Sequence, residues 1–292
     1  MRLPIERYHR PESLAEACRL ARELGDRARV LAGGTELLVR RKPGEPVPSD
    51  VISLARLDEL RGIRVESGTL VIGALTTIRD VARSPLVREQ FPVLAEAAAL
   101  LGSEQIRSRA TIGGNFCGAV PCADTPPPCL VGEASVRIAG PEGSREIPAE
   151  DLFTGPRQTA LRQGEILAEI RIPPQPAGAG ASFQRFGLRR GSAVAVASVA
   201  VRLVISSGTI AGARIALGAV APTPLLARAA ARELEGGRPG PEIFAKAARA
   251  AAEEARPICD VRGSAEFRRR LVEVLTRRAL EEASARAVEA GR

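Results

Sequence analysis

Two short runs, AGGTE at Ala32 to Glu36 and TIGGN at Thr111 to Asn115, each set a glycine pair beside threonine and a second hydrogen-bonding side chain. Glycine admits positive φ and lets the main chain approach a ligand closely, and successive N–H groups turned the same way form a nest for an anion. Two such loops suit the two phosphoryl groups of a pyrophosphate. Each pair can equally be a tight turn with glycine in the left-handed region. Neither run is a G-x-G-x-x-G or a G-x-x-x-x-G-K-[ST] fingerprint, which argues against a Rossmann NAD domain and a P-loop ATPase.

Asp124, nine residues after Asn115, has the short carboxylate that accepts a hydrogen bond from a ribose or ribityl hydroxyl; it can also cap or turn the chain before Thr125-Pro126. Between them, Cys117, Cys122 and Cys129 follow a C-x4-C-x6-C spacing. A structural zinc site wants four ligands in closely spaced pairs, and a plant-type iron–sulfur cluster wants C-x4-C-x2-C plus a further cysteine. The x6 spacing to the third cysteine fails both, so these thiols are expected to be packing residues and no metal site is expected. The single histidine, His9, stands beside Arg10-Pro11, and no nucleophile–base set assembles around it. No catalytic side chain is assigned; any reactive group is expected to be a cofactor.

The elements that must position these residues follow from periodicity. SLAEACRLAREL reads as a helix from Ser13 as N-cap to Gly25 as stop, and ARVLAG as a strand breaking into Gly33-Gly34, after which GTELLVRRK opens another helix. Strands are expected in DVISLARL and GTLVIGALTTIRDVA, the second running into a short helix, and an inner helix in FPVLAEAAALLGS. A second strand is expected to end at Gly113-Gly114. A hairpin turning at Gly140 to Ser144 and a strand ending at Pro173-Pro174 close the first region, and PPQPAGAGA is the domain boundary. Beyond it come two or three strands with a turn at Ser206 to Gly208, helices near Leu225 to Leu234 and Ile243 to Ala255, and a terminal helix from about Ser264.

Composition bounds the function classes. A chain of 292 residues with 45% apolar content can bury one large core or several smaller ones. The net charge of +8 is carried almost wholly by arginine spread along the chain, without tryptophan or aromatic interleaving, so nucleic-acid binding is not expected. Arginine is the residue favoured at fixed bidentate contacts, which points to a subunit interface. No run of 18 apolar residues and no signal-like N-terminus are present, so a cytoplasmic protein without a membrane span is expected.

Four ordered motifs, VLAGGTELLVRRK, LVIGALTTIRDVA, EQIRSRATIGGN and ARIALGAVAPTPL, resemble the FAD-binding subunit of molybdenum-containing hydroxylases, the family of the carbon monoxide and xanthine dehydrogenase flavoproteins. The resemblance implies an α+β chain: a two-lobed FAD-binding domain of the vanillyl-alcohol-oxidase type at 1–174, with subdomains of about 1–57 and 58–174, a linker at 175–181, and a C-terminal α+β domain at 182–286. It implies that Leu31, Ala32, Gly33, Gly34, Thr35 and Glu36 hold one side of the pyrophosphate of FAD, and Thr111, Ile112, Gly113, Gly114 and Asn115 the other. Asp124 is then a further FAD contact, Leu101 and Leu167 are apolar flavin-site positions, and Gln184 or Arg185 falls where a polar or basic contact is found. Family members that carry an extra iron–sulfur cluster hold it in a cysteine-bearing insertion near this loop. Here Cys117 stands alone at that place, and no such cluster is expected.

The resemblance also implies partners: a molybdopterin-binding large subunit and a [2Fe–2S] small subunit in a dimer of heterotrimers, with electrons leaving through FAD to an external acceptor. The alternative is a stand-alone FAD-dependent reductase of the same superfamily, which would need its own acid at a substrate site.

Overall fold

The structure, a computed structural model, describes residues 5–37, 48–189 and 191–290. In the first lobe, β1 (Arg7–His9), helix α1 (Leu14–Leu24), β2 (Ala28–Leu31) and β3 (Asp50–Ser53) form a small α/β layer. All four residues of β3 are buried, and it lies between β1 and β2, parallel to both. Helix α1 begins where the Ser13 hydroxyl accepts the Glu16 N–H at 3.2 Å and stops at Gly25 with φ 53°. Its apolar face presses Ala17 and Cys18 onto the core formed by Ile52, Leu54 and Leu57.

The second lobe is an antiparallel sheet of order β4-β5-β10-β6-β7, built from β4 (Ile63–Glu66), β5 (Thr69–Gly73), β6 (Ser135–Gly140), β7 (Gly143–Pro148) and β10 (Ile166–Ile172). A two-stranded ribbon of β8 (Phe153–Gly155) and β9 (Gln158–Thr159) joins β7 to β10. The helices of this lobe are α2 (Ile78–Arg83), α3 (Pro85–Gln90), α4 (Pro92–Leu100), α5 (Glu104–Arg107), α6 (Ile112–Cys117) and α7 (Pro126–Val131). As its charge-poor sequence requires, α4 is the inner one, with Val93, Leu94, Ala95, Ala97 and Ala98 buried.

The third lobe is a meander of β11 (Ala179–Gly187), β12 (Ala195–Ser206), β13 (Thr209–Gly218) and the short β14 (Leu225–Leu226), followed by α8 (Arg228–Arg232), α9 (Pro241–Glu254) and α10 (Ala265–Ala290). Helix α10 lies against β11, β12 and α9, and buries Val272, Leu275, Ala279, Leu280 and Ala283. Phe183, Ala200 and Ala216 of this sheet belong to the same apolar cluster as Leu94 and Phe116, so the second and third lobes share a dry core.

The structure corrects several expectations. Ala179 to Ala181 are not linker: they pair with Val204 to Arg202 as the first residues of β11. Leu225 and Leu226 are strand, and the helix expected there begins at Arg228. Gly113 and Gly114 do not follow a strand but sit in the first turn of α6. Thr35 to Leu37 form a turn, and the rest of the helix expected from GTELLVRRK lies outside the described residues.

Candidate functional site

At the end of β2 the chain turns through Ala32, Gly33 and Gly34. Gly34 has φ 75°, a conformation that costs an L side chain strain. Gly33 is needed for another reason: a Cβ there would stand 1.9 Å from the Arg109 carbonyl oxygen. The first glycine loop is thus packed directly on the residues leading into the second. Among the described residues, no acceptor faces the N–H groups of Gly33, Gly34 and Thr35.

The second loop is built differently. The N–H of Ile112 donates to the Thr76 carbonyl at 3.0 Å, that of Gly113 to Ala74 at 2.9 Å, that of Gly114 to the Thr111 hydroxyl at 3.1 Å and that of Asn115 to the Thr111 carbonyl at 3.0 Å. All four amides are committed to the protein, so the expected second nest is absent. A Cβ on Gly113 would meet the Ala74 Cβ at 2.6 Å, so this glycine lets α6 close against the end of β5. What the loop offers instead is Asn115. Its Oδ1 accepts from the Thr125 hydroxyl at 2.7 Å, which leaves the Nδ2 donors without an acceptor among the described residues.

The two loops open on a cleft of about 470 Å³. Leu31, Ala32, Gly33, Gly34, Thr35, Glu36, Leu101, Thr111, Gly113, Gly114, Asn115, Asp124 and Leu167 all line it. Ile112 does not, being fully buried in the core of the second lobe. Gln184 does not either: its Nε2 donates to Glu282 at 2.7 Å and so faces α10. Neighbouring residues on a strand point to opposite faces, and it is Arg185 that turns toward the cleft wall. The Arg185 Nε donates to the Asp124 Oδ1 at 2.8 Å, and its Nη2 donates to the Ala193 carbonyl. Burial pushes the Asp124 carboxyl up to about 6 against the pull of that guanidinium.

Ser192, Ala193 and Val194, which sequence reasoning missed, close the cleft from the third lobe; the Ser192 N–H reaches the Gly102 carbonyl at 3.2 Å. The only signal for them was the polar Gly-Ser break between two strands. Cys117 and Cys122 also line the cleft. Burial pushes the Cys117 thiol up to about 12 and raises that of Cys122. No group of three metal-ligating side chains occurs among the described residues.

A glycine-turned lobe packed on a second mixed lobe thus frames a cleft with leucines along it and, at one end, amides that have no acceptor among the described residues. Residues 3–175 match the family model described as the FAD binding domain in molybdopterin dehydrogenase, and residues 182–283 match the CO dehydrogenase flavoprotein C-terminal domain. Over 290 residues the chain is 39% identical to the carbon monoxide dehydrogenase medium chain of Hydrogenophaga pseudoflava, covering 97% of this chain and 98% of that one. It is 30% identical to the xanthine dehydrogenase FAD-binding subunit of Escherichia coli O157:H7, covering 96% of each. The solved carbon monoxide dehydrogenase from Hydrogenophaga pseudoflava superposes with a TM-score of 0.94 at 40% identity, over 98% of this chain and 99% of that one. Quinoline 2-oxidoreductase from Pseudomonas putida 86 superposes at 0.92 with 31% identity, covering 100% of both chains.

The chain belongs to the family of FAD-binding medium subunits of molybdenum hydroxylases. Its cofactor is FAD, and it is an oxidoreductase component. No helix among the described residues is long and apolar enough to cross a membrane.

Proposed function

We propose that this chain receives electrons from a [2Fe–2S] small subunit and passes them through FAD to an external acceptor, within an assembly that also contains a molybdopterin-binding large subunit and forms a dimer of heterotrimers. The observation that carries this reading is the row of N–H groups at Gly33, Gly34 and Thr35 that have no acceptor among the described residues, on residues that line a cleft walled by Leu31, Leu101 and Leu167. Such a cleft is built to bind and orient a phosphate-bearing ligand with an apolar ring.

The residues fit FAD. The three amides of the first loop and the Asn115 Nδ2 supply donors for a pyrophosphate. Asp124, ionised above about pH 6 and partnered on one oxygen by Arg185, keeps its second oxygen for a hydroxyl of the sugar or ribityl chain. Leu101 and Leu167 provide apolar wall for the ring. When bound, FAD supplies the two-electron to one-electron exchange that links iron–sulfur clusters to an acceptor. The protein's part is to hold the ring, exclude bulk water with Leu31, Leu101 and Leu167, and keep the Ser192 to Val194 strap over the cleft through Arg185.

A direct test is the flavin content of the purified chain. One equivalent of FAD, released on denaturation, is the expected result, together with no reductase turnover by the chain alone. A colourless chain that FAD does not reconstitute would overturn the binding reading, and rapid substrate turnover by the lone chain would return the stand-alone reductase.

A further inference from the structure

The cleft is lined by three carboxylates, Glu36, Asp124 and Glu165, and by no lysine or arginine among the described residues. Each carboxylate is met by a guanidinium whose residue is not part of the lining. The Arg185 Nε donates to Asp124 at 2.8 Å, Arg145 donates to both oxygens of Glu165 at 2.8 and 2.7 Å, and the Arg157 Nη1 stands 4.0 Å from the Glu36 Oε1. Of the three, Glu36 is the one at the phosphate end, because it directly follows the amides of Gly33, Gly34 and Thr35. Its charge opposes the pyrophosphate that those amides attract.

Arg157 reaches Glu36 from a turn that arginine does not favour. It follows Pro156 at the tip of the β8–β9 ribbon with φ 63°, a left-handed turn position that glycine or asparagine takes by preference. The Arg157 N–H donates to the Ala119 carbonyl at 2.8 Å, and Ala119 too has a positive φ, 43°. Two strained residues thus meet main chain to main chain just beyond α6. Such conformations persist where the surrounding structure over-determines them, and they gather at ligand sites.

That contact docks the ribbon tip beside Gly118, and Gly118 completes the seat: a Cβ there would collide with the Glu36 Oε2. Glu36 therefore lies between a glycine that makes room for its carboxylate and an arginine that faces its charge. A 4.0 Å approach between half-exposed groups adds little to folding. Its larger effect is on an anion that binds beside it.

We propose that Arg157 is a positioning residue for FAD: it keeps the Glu36 carboxylate seated at Gly118 and offsets its charge, so that the first glycine loop meets the pyrophosphate with its amides and without an opposing charge. This rests on the placement of the pyrophosphate at that loop, and the test separates the two.

The full chain is stripped of flavin and titrated with FAD, and Kd is read from flavin fluorescence. The chains compared are the unaltered one, Arg157→Gln, Arg157→Gly, Arg157→Lys, Glu36→Gln, the pair Glu36→Gln with Arg157→Gln, and Gly33→Ala. Arg157→Gln is expected to raise Kd about fivefold, the size of one partly exposed charge interaction. Arg157→Gly, which a φ of 63° suits, keeps the fold and gives the same rise, whereas Arg157→Lys recovers most of the affinity. With Glu36→Gln already in place, Arg157→Gln should change Kd by less than about twofold, because the charge it offset is gone. An equal loss in both backgrounds would mean that Arg157 meets the ligand itself, and overturns the positioning role. So does a loss that Arg157→Lys shares, or no loss in either neutral variant. An unchanged Kd in Gly33→Ala overturns the placement of the pyrophosphate at the first loop instead, and an unaltered chain that takes up no FAD overturns FAD binding itself.

Discussion

Gly33 is the position at which the cleft is least tolerant, because a methyl group there would stand 1.9 Å from a backbone oxygen and force the two glycine loops apart. Gly33→Ala is expected to weaken FAD binding by roughly tenfold or more, measured as Kd by flavin titration; an unchanged Kd would show that the loop contact does not shape the site. Asp124 sets a pH dependence. Burial holds its carboxyl up at about 6, and the ionised carboxylate accepts a hydroxyl more strongly than the protonated acid does, so FAD affinity should rise from pH 5 to 7 and then level, and Asp124→Asn should flatten the profile. For folding the sign is opposite. A carboxyl raised from 3.8 favours the folded state while protonated, and that contribution is lost as pH climbs through about 6. The thiols give an independent check: exposed Cys259 should react with iodoacetamide at pH 8 in the native chain, whereas buried Cys129, and Cys117 with its thiol near 12, should react only after unfolding. Rapid native labelling of Cys117 would mean that it is not the packing residue its spacing suggests.

The elements were legible where periodicity and caps coincide. Ser13 and Gly25 bracket α1, and the charge-poor run at Phe91 to Ser103 announced the inner helix α4. What escaped the sequence was a tertiary bond pattern. TIGGN looks like a second copy of AGGTE, yet the carbonyls of Ala74 and Thr76, nearly 40 positions away in sequence, consume its amides and turn it into a helix start. Gln184 and Arg185 are likewise indistinguishable until the pleat of β11 sends one to α10 and the other to Asp124. The packing of α4 carries its own prediction. Leu94 is fully buried at the junction of the second and third lobes, so Leu94→Ala should cost about 2–5 kcal/mol in chemical denaturation while leaving FAD stoichiometry at one per chain. A loss below about 0.5 kcal/mol would contradict the shared core.

At the scale of the whole molecule, two lobes that meet at a leucine-walled cleft, closed by a strap from the third, describe a chain built to hold a redox cofactor. The family and its cofactor were readable from four motifs in order. The strap at Ser192 to Val194 was not, because it becomes part of the site only when the third lobe folds back onto the second. The central claim concerns the route of electrons, and the most direct measurement uses the intact assembly with and without its FAD. The clusters are reduced with dithionite, excess reductant is removed, and reoxidation by ubiquinone-1 or by NAD is followed at the iron–sulfur absorbance. The account predicts that at least one of these acceptors reoxidises the clusters when FAD is present, and that reoxidation stops when FAD is removed and returns when it is restored. Reoxidation at the same rate without FAD would contradict it.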